Sequence, residues 1–411
     1  MSTETPQKDL RDLLAAEVRL AGYRPAHEVV DGLDELTYLH SGPPIDVYRP
    51  LPAPLVGAVA AGLLFEGAAT TAEEAVAMTR DGRVRLMPCQ DTNVAGPLTG
   101  LVTPRTPMVV VERGDGRLFC SPMHEGDDGG MRTGTYDVPT LERLRQVAEV
   151  VAPALNRAVL ETPVPLRPVE MQISALRRGD ECHNRNVAST LGLVFALAPA
   201  LARLPEAAAV FDYFTRTTQH FIAISAAVAK AVADSIECSG PAGLVTAVGM
   251  NGQDFGIRVS GLDGWFRGPS PVGPMVALGG ADITTASPGQ GDSPIIETLG
   301  LGAFALSSAP ALARTLGFST DGSRELVEEM RQVCGCDSPV YGLPNQDFAP
   351  TPAGIDVVRV ADSGVAPATT LGFLSRNLGA GRVGAGVIRM PMQPFLEARK
   401  ALAPRVIGVD G

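Results

Sequence analysis

A nearly continuous helical reading over residues 138–235 divides this chain, and it constrains the fold more than any single motif. Inside that block the apolar spacing predicts helices over 140–160, 169–178, 184–201 and 206–235. Before it, helices are expected over 9–20, 50–64 and 71–79, the last with Thr71 as N-cap and Glu74 three residues on. Short β-like runs follow at 84–87, 108–112 and 118–121. Beyond the block, runs at 243–250, 255–260, 274–278, 355–360, 369–373 and 384–390 lie among helices over 294–316 and 323–333. The expected class is α+β, with two mixed α/β domains joined by a helical segment: an N-terminal domain over 1–163, a connector over 164–238 and a C-terminal domain over 239–411. A length of 411 residues fits this division, because single hydrophobic cores usually stop growing before that size.

Aromatic residues are scarce at 5%, whereas 45 Gly and 34 Pro demand frequent turns and close backbone approaches, so the cores must be aliphatic and Ala-rich. A net charge of −11 with no block of Lys or Arg argues against nucleic acid as a partner. The most continuous apolar stretch, 187–202, is broken by Ser189, Thr190 and Pro199 and is too short to span a bilayer, so it reads as a buried helix. Residues 1–10 are polar and acidic where a secretory signal is basic and then apolar. Six cysteines are too few for a disulfide scaffold and suit a reducing compartment, so a cytoplasmic protein is expected. Cys334 and Cys336 form one C-x-C pair with no second pair to complete a zinc ribbon, and no metal or cofactor is expected.

Candidate chemistry gathers in few places. Arg178 to Asn186 packs two acids, a thiol, an imidazole, two amides and two guanidinium groups ahead of an apolar helix. If that helix begins near His183, Asn184 and Asn186 sit where free N–H groups favour an anion, and Arg185 can add a bidentate fork. The same residues also suit a well-capped helix start on the surface, and Cys182 beside His183 leaves a zinc reading open. A second cradle is expected where Asp292 and Ser293 lead into a helix with Pro294 at N1; simple capping explains those residues equally well. Cys89 can be a nucleophile if His40, His124 or His183 lies beside it, or a small buried hydrophobe. Glu125 and Arg132 flank a glycine-rich stretch, 126–130, able to close over a ligand. Asn251-Gly252 predicts a hairpin that carries Arg258. The phosphate-binding G-x-x-x-x-G-K-S/T, H-E-x-x-H and G-x-S-x-G signatures are absent.

Several stretches, in one order along nearly the whole chain, resemble the YlbE-like (AllG) family. They are His40-Ser41-Gly42-Pro43-Pro44, Phe65-Glu66-Gly67, Pro88-Cys89-Gln90 with Asn93-Val94-Ala95-Gly96-Pro97, Gly179 to Asn186, Phe255 to Gly261, Gly291-Asp292-Ser293 and Gly384 to Arg389. The resemblance implies a subunit of oxamate carbamoyltransferase, which moves a carbamoyl group between oxalurate and phosphate, working with an FdrA-type subunit and a third subunit. Homo-oligomers are also compatible with it. A small anionic ureido or amide substrate and phosphate are then the expected ligands. Such chemistry needs cationic and N–H donors for phosphate, carboxylate and a tetrahedral oxyanion. Arg132, Arg185 and Arg258 with Asn93, Asn184 and Asn186 supply them, and His183 is the preferred acid or base. Two other readings stand beside this one: a non-catalytic metabolite-binding or scaffold subunit, and a metal-dependent amide lyase or hydrolase.

Overall fold

The computed structural model describes residues 8–127 and 129–406, with side chains to Leu402. Most of the N-terminal segment read for export, Asp128 within the 126–130 stretch, and the last five residues of the expected C-terminal domain lie outside the described residues.

The helix Phe221–Ser239 organises the interior. Its run of alanines lets backbones approach closely, and all but a few of its residues are buried. One side meets the strands Pro107–Arg113 and Leu118–Pro122; another meets the strand Val245–Asn251 and the 3₁₀ segment Ser293–Leu299. Elements from before and after the helical block therefore share one hydrophobic cluster, which runs from Leu10 to Leu402. Leu10 itself reaches across the chain to lie against Gly335 and Gly354.

The chain is α+β, with small sheets that are mostly antiparallel. Val18–Pro25, Pro107–Arg113 and Leu118–Pro122 form one, Gly22 making a bulge at its edge. A second runs in the order Gln290–Gly291, Val245–Asn251, Asp254–Val259, Phe266–Pro269. The third joins Ala368–Leu374, Arg382–Arg389 and Val276–Ala277. Cys334–Leu343 pairs with Ala349–Ile355 as a hairpin, and Thr37–His40 pairs in parallel with Arg85–Pro88.

Several expectations hold. Thr71 accepts the N–H of Glu74 and caps Ala72–Arg80, and Ala53–Glu66 is a buried helix ended by Gly67 at φ +81°. Asn251-Gly252 does turn a hairpin, its Asn251 Oδ1 accepting from the N–H groups of Gln253 and Asp254. Others fail for identifiable reasons. The helix over 9–20 stops at Leu14, because Val18–Pro25 is needed as a partner for Pro107–Arg113. The strand over 355–360 ends at Ile355, where the Asp356 carboxylate accepts from Val358 and Arg359 and starts the helix Val357–Ser363. The single helix over 294–316 is three pieces, Ser293–Leu299, Gly302–Ser308 and Pro310–Thr315, since Gly300 and Gly302 take φ of +87° and +63°. The helix over 206–235 likewise breaks between Arg216 and Phe221.

Candidate functional site

The loop before the helix Val187–Leu201 is built by its own acids. Glu181 accepts the backbone N–H groups of His183 at 2.5 Å, Asn184 at 2.6 Å and Arg185 at 3.4 Å. Asp180 accepts from the N–H and Oγ of Ser189 at 2.9 and 3.1 Å, and Gln219 accepts the N–H of Asn186. The helix therefore starts three residues later than expected, and protein oxygens occupy the N–H groups foreseen for an anion. Arg185 is bound within this loop, to the Gly179 carbonyl at 3.1 Å and Asp180 at 3.5 Å.

His183 points away from that turn, with Nδ1 2.8 Å from Glu297 Oε1, and both side chains are buried. The same oxygen accepts from Thr369 Oγ1, Thr370 N–H and Ala303 N–H, while Glu297 Oε2 has no protein partner. Burial works against an imidazolium here, but Glu297 and Glu181 outweigh it, so His183 titrates above its ordinary value. Burial pushes Glu181 up to about 7.

Two guanidinium groups approach the same loop, Arg382 through Asn184 and Arg132 as the neighbouring charge of Arg382. Arg132 belongs to the turn Met131–Thr133, and Arg382 opens the strand Arg382–Arg389; Gly379 and Gly381 let that strand's approach lie against Tyr136 and Thr135. Arg382 Nη2 donates to Asn184 Oδ1 at 3.3 Å, which ties it to the His183 loop. Among the described residues neither arginine makes an ion pair, and the Nε of each is buried without an acceptor. Burial, with Arg132's charge second, draws Arg382 down to about 10, and burial also lowers Arg132. Asn184 Nδ2 and Glu125 Oε2 are two more buried polar atoms with no protein partner, and Asn186 Oδ1 is a third.

His124 and Asp127 form the flank. Their 3.7 Å separation is ion-pair range and too long for a hydrogen bond, and burial takes the imidazole down to about 4, so it is neutral near pH 7. Glu125 accepts the Met131 N–H at 3.0 Å, and burial raises its pKa. Behind them His220 holds Tyr23 at 3.0 Å and Tyr213 at 2.8 Å, one on each ring nitrogen.

Asp292 and Ser293 stand at the other end of the 3₁₀ segment that carries Glu297. Asp292 is fully buried, with Oδ1 accepting from Gly42 N–H at 2.7 Å and Gln90 Nε2 at 2.8 Å, and Oδ2 from Gly96 N–H at 3.0 Å. Burial raises it to about 7. The Gly96 loop continues to Thr99, whose N–H and Oγ1 both donate to the Arg132 carbonyl at 3.1 and 2.9 Å. Asp292 thus fixes the backbone that fixes Arg132.

The remaining candidates lie apart from this cluster. Cys89 is buried, donates to the Gly100 carbonyl at 3.1 Å, and is pushed well above the usual thiol range by burial and then by Asp292. Asn93 donates to the Val29 and Leu118 carbonyls, and Arg258 bridges Asp91 and Glu237. Together the structure joins His183, Asn184, Glu125 and Arg132 with Arg382, Glu297 and Glu181. Sequence reasoning passed over Arg382 and Glu297: the first hides in Gly379-Ala380-Gly381-Arg382, the second inside an apolar run. No group of three or more metal-ligating side chains is arranged for a metal ion, and no helix is long and apolar enough to cross a membrane, among the described residues.

Comparison with known proteins covers most of the chain. Residues 84–293, which hold Arg132, His183 and Asp292, match the family model for oxamate carbamoyltransferase subunit AllG. The oxamate carbamoyltransferase subunit AllG of Escherichia coli strain K12 is 35% identical over 389 residues, 92% of each chain. An uncharacterized protein, YahG, of the same strain is 31% identical over 95% of this chain and 84% of its own. A conserved protein of unknown function from Enterococcus faecalis V583 has a crystal structure that matches with a TM-score of 0.90 and 31% identity over 95% of both chains. With the family model covering half its length and a curated relative 35% identical over 92% of both chains, the chain belongs to the AllG family.

Proposed function

We propose that this chain is a subunit of a carbamoyltransferase that interconverts oxalurate plus phosphate with oxamate plus carbamoyl phosphate, or acts on a closely related ureido acid. The observation that carries the reading is the pair Arg132 and Arg382, two guanidinium groups with buried Nε atoms that lack an acceptor, Arg382 being tied through Asn184 to the loop that carries His183. Two neighbouring cations, near Asp127 but in no ion pair among the described residues, suit an oxyanion such as phosphate or the substrate carboxylate.

In the forward direction a phosphate oxygen bonds to the carbamoyl carbon, and the C–N bond to the oxamate nitrogen then breaks. The proton lost by phosphate is the one the leaving nitrogen gains. In this reading His183 carries it, and the Glu297 contact at its Nδ1 supports that role by holding the ring in orientation. Asn184 Nδ2 and the arginines are the donors for the tetrahedral oxyanion. Partners of the FdrA type and a third subunit would complete the assembly, in keeping with the relative's description as a subunit.

The test is turnover of carbamoyl phosphate with oxamate, for the chain alone and co-expressed with its neighbouring subunits. Oxamate-dependent phosphate release that is lost in His183→Ala and Arg382→Ala supports the reading. Full activity in both variants places the chemistry in a partner and leaves this chain a scaffold.

A further inference from the structure

A second cation lies outside that machinery. Of 34 basic residues three are lysine, Lys8, Lys230 and Lys400, so this chain otherwise meets its need for positive charge with arginine. Lys8 and Lys400 are exposed, whereas Lys230 lies in the middle of the helix Phe221–Ser239 and is 8% exposed. Its Nζ donates to the Gln90 carbonyl at 3.0 Å, and among the described residues it makes no ion pair. An ammonium has three donors, and a buried one short of acceptors destabilises the fold unless something else satisfies it. An aliphatic side chain would fill the same space without that penalty.

Lys230 lines a pocket of about 220 Å³, together with Asp91, Asn93, Asp234, Glu237 and Arg258. The acids do not neutralise it. Asp234 is taken by Arg113 at 3.0 Å and Arg117 at 2.7 Å, while Asp91 and Glu237 share Arg258 at 3.4 and 3.3 Å. Arg258 Nε is a further buried donor without an acceptor.

We propose that this pocket is a second small-molecule site, taking a small monocarboxylate that carries an amide or amino N–H. The carboxylate accepts from Lys230 Nζ and Arg258 Nε, and the N–H group faces Asp91 and Glu237. The volume is below the roughly 300 Å³ at which sites for larger ligands begin, which excludes nucleotides and coenzymes. The lining is balanced in charge, Arg117, Lys230 and Arg258 against Asp91, Asp234 and Glu237, which favours a singly charged ligand over phosphate and other multiply charged anions. An occupant would sit one residue from the Asp292 junction, since Gln90 accepts Lys230 through its carbonyl and donates to Asp292 through its amide. This inference does not depend on the carbamoyltransferase reading.

With only three lysines, selective ¹³Cε-lysine labelling gives three NMR signals, and Lys230→Met assigns the relevant one. Oxamate, acetate and inorganic phosphate are titrated into the full-length protein. The expected result is a saturable shift of the Lys230 signal with oxamate, at least tenfold tighter than with acetate or phosphate. It should persist in Arg382→Ala, which disables the other site, and weaken at least tenfold in Arg258→Gln. No shift with any probe, phosphate binding tighter than oxamate, or loss of the shift in Arg382→Ala overturns the proposal.

Discussion

His183 Nδ1 and Glu297 Oε1 are 2.8 Å apart although 114 residues separate them in sequence, and the carboxylate oxygen that faces the imidazole is also held by Thr369 and Thr370. A histidine so placed has its tautomer and orientation set from behind, which leaves Nε2 to exchange a proton.

Glu297→Gln should therefore lower the His183 pKa and cut carbamoyl transfer in the assembled complex by about 10²-fold or more, in line with a lost general acid or base. Its stability signature has a definite sign. The folded pKa of His183 exceeds the ordinary value of about 6.5, so the stabilisation is fully present below that pH and is lost as pH rises through the folded pKa. The melting temperature of Glu297→Gln should fall furthest below the parent well below the ordinary histidine value and converge on it as pH rises past the raised pKa of His183. A gap that widens with rising pH would contradict the assignment.

Arg382→Lys keeps the charge and loses the planar fork. Isothermal titration should show phosphate binding weakened by about tenfold or more, with no rescue relative to Arg382→Ala beyond a few-fold. Because burial and then the like charge of Arg132 draw Arg382 down to about 10, Arg382→Ala removes a buried cation without an ion pair, and its thermal stability should not drop. Weaker binding that merely follows unfolding would show as a lowered melting temperature.

Asp292→Asn replaces one accepting oxygen with an NH₂ in a pocket where Gly42, Gln90 and Gly96 all donate. Urea unfolding should show a loss of about 1–3 kcal/mol. The raised Asp292 pKa contributes stability that is complete below about pH 3.8 and is lost as pH rises through 7, so the parent's stability should decline over that interval more steeply than the variant's. Parallel curves would mean that Asp292 does not titrate there.

Cys89→Ala should leave transfer activity within about twofold, and iodoacetamide should not label Cys89 in the folded protein, because a buried thiol held far above its usual pKa is not a nucleophile at neutral pH. Rapid labelling with loss of activity would restore Cys89 as a candidate.

What could be read from the sequence follows from what is local. Thr71 with Glu74, and Asn251 with Gly252, announce a cap and a turn because the interactions span three residues or fewer. The concentration of chemistry in Gly179 to Asn186 was equally visible, yet the role of its members was not. Glu181, Asp180 and Arg185 serve the loop, and His183 and Asn184 alone turn toward Glu297 and Arg382. Those partners come from segments more than 100 residues away, and nothing in Gly379-Ala380-Gly381-Arg382 discloses that its guanidinium lies beside Arg132. Failures among the elements have the same origin: pairing with Pro107–Arg113 makes a strand of Val18–Pro25 despite helical spacing nearby.

The contact of Leu10 with Gly335 and Gly354 bears on how the chain is made. The helix Leu10–Leu14 cannot complete the burial of its apolar face until the distant hairpin Cys334–Leu343 with Ala349–Ile355 has formed. Contacts of such long sequence separation slow folding and lengthen the exposure of apolar surface. For this protein the chain in which that hairpin has not yet formed is the form most in need of a chaperone.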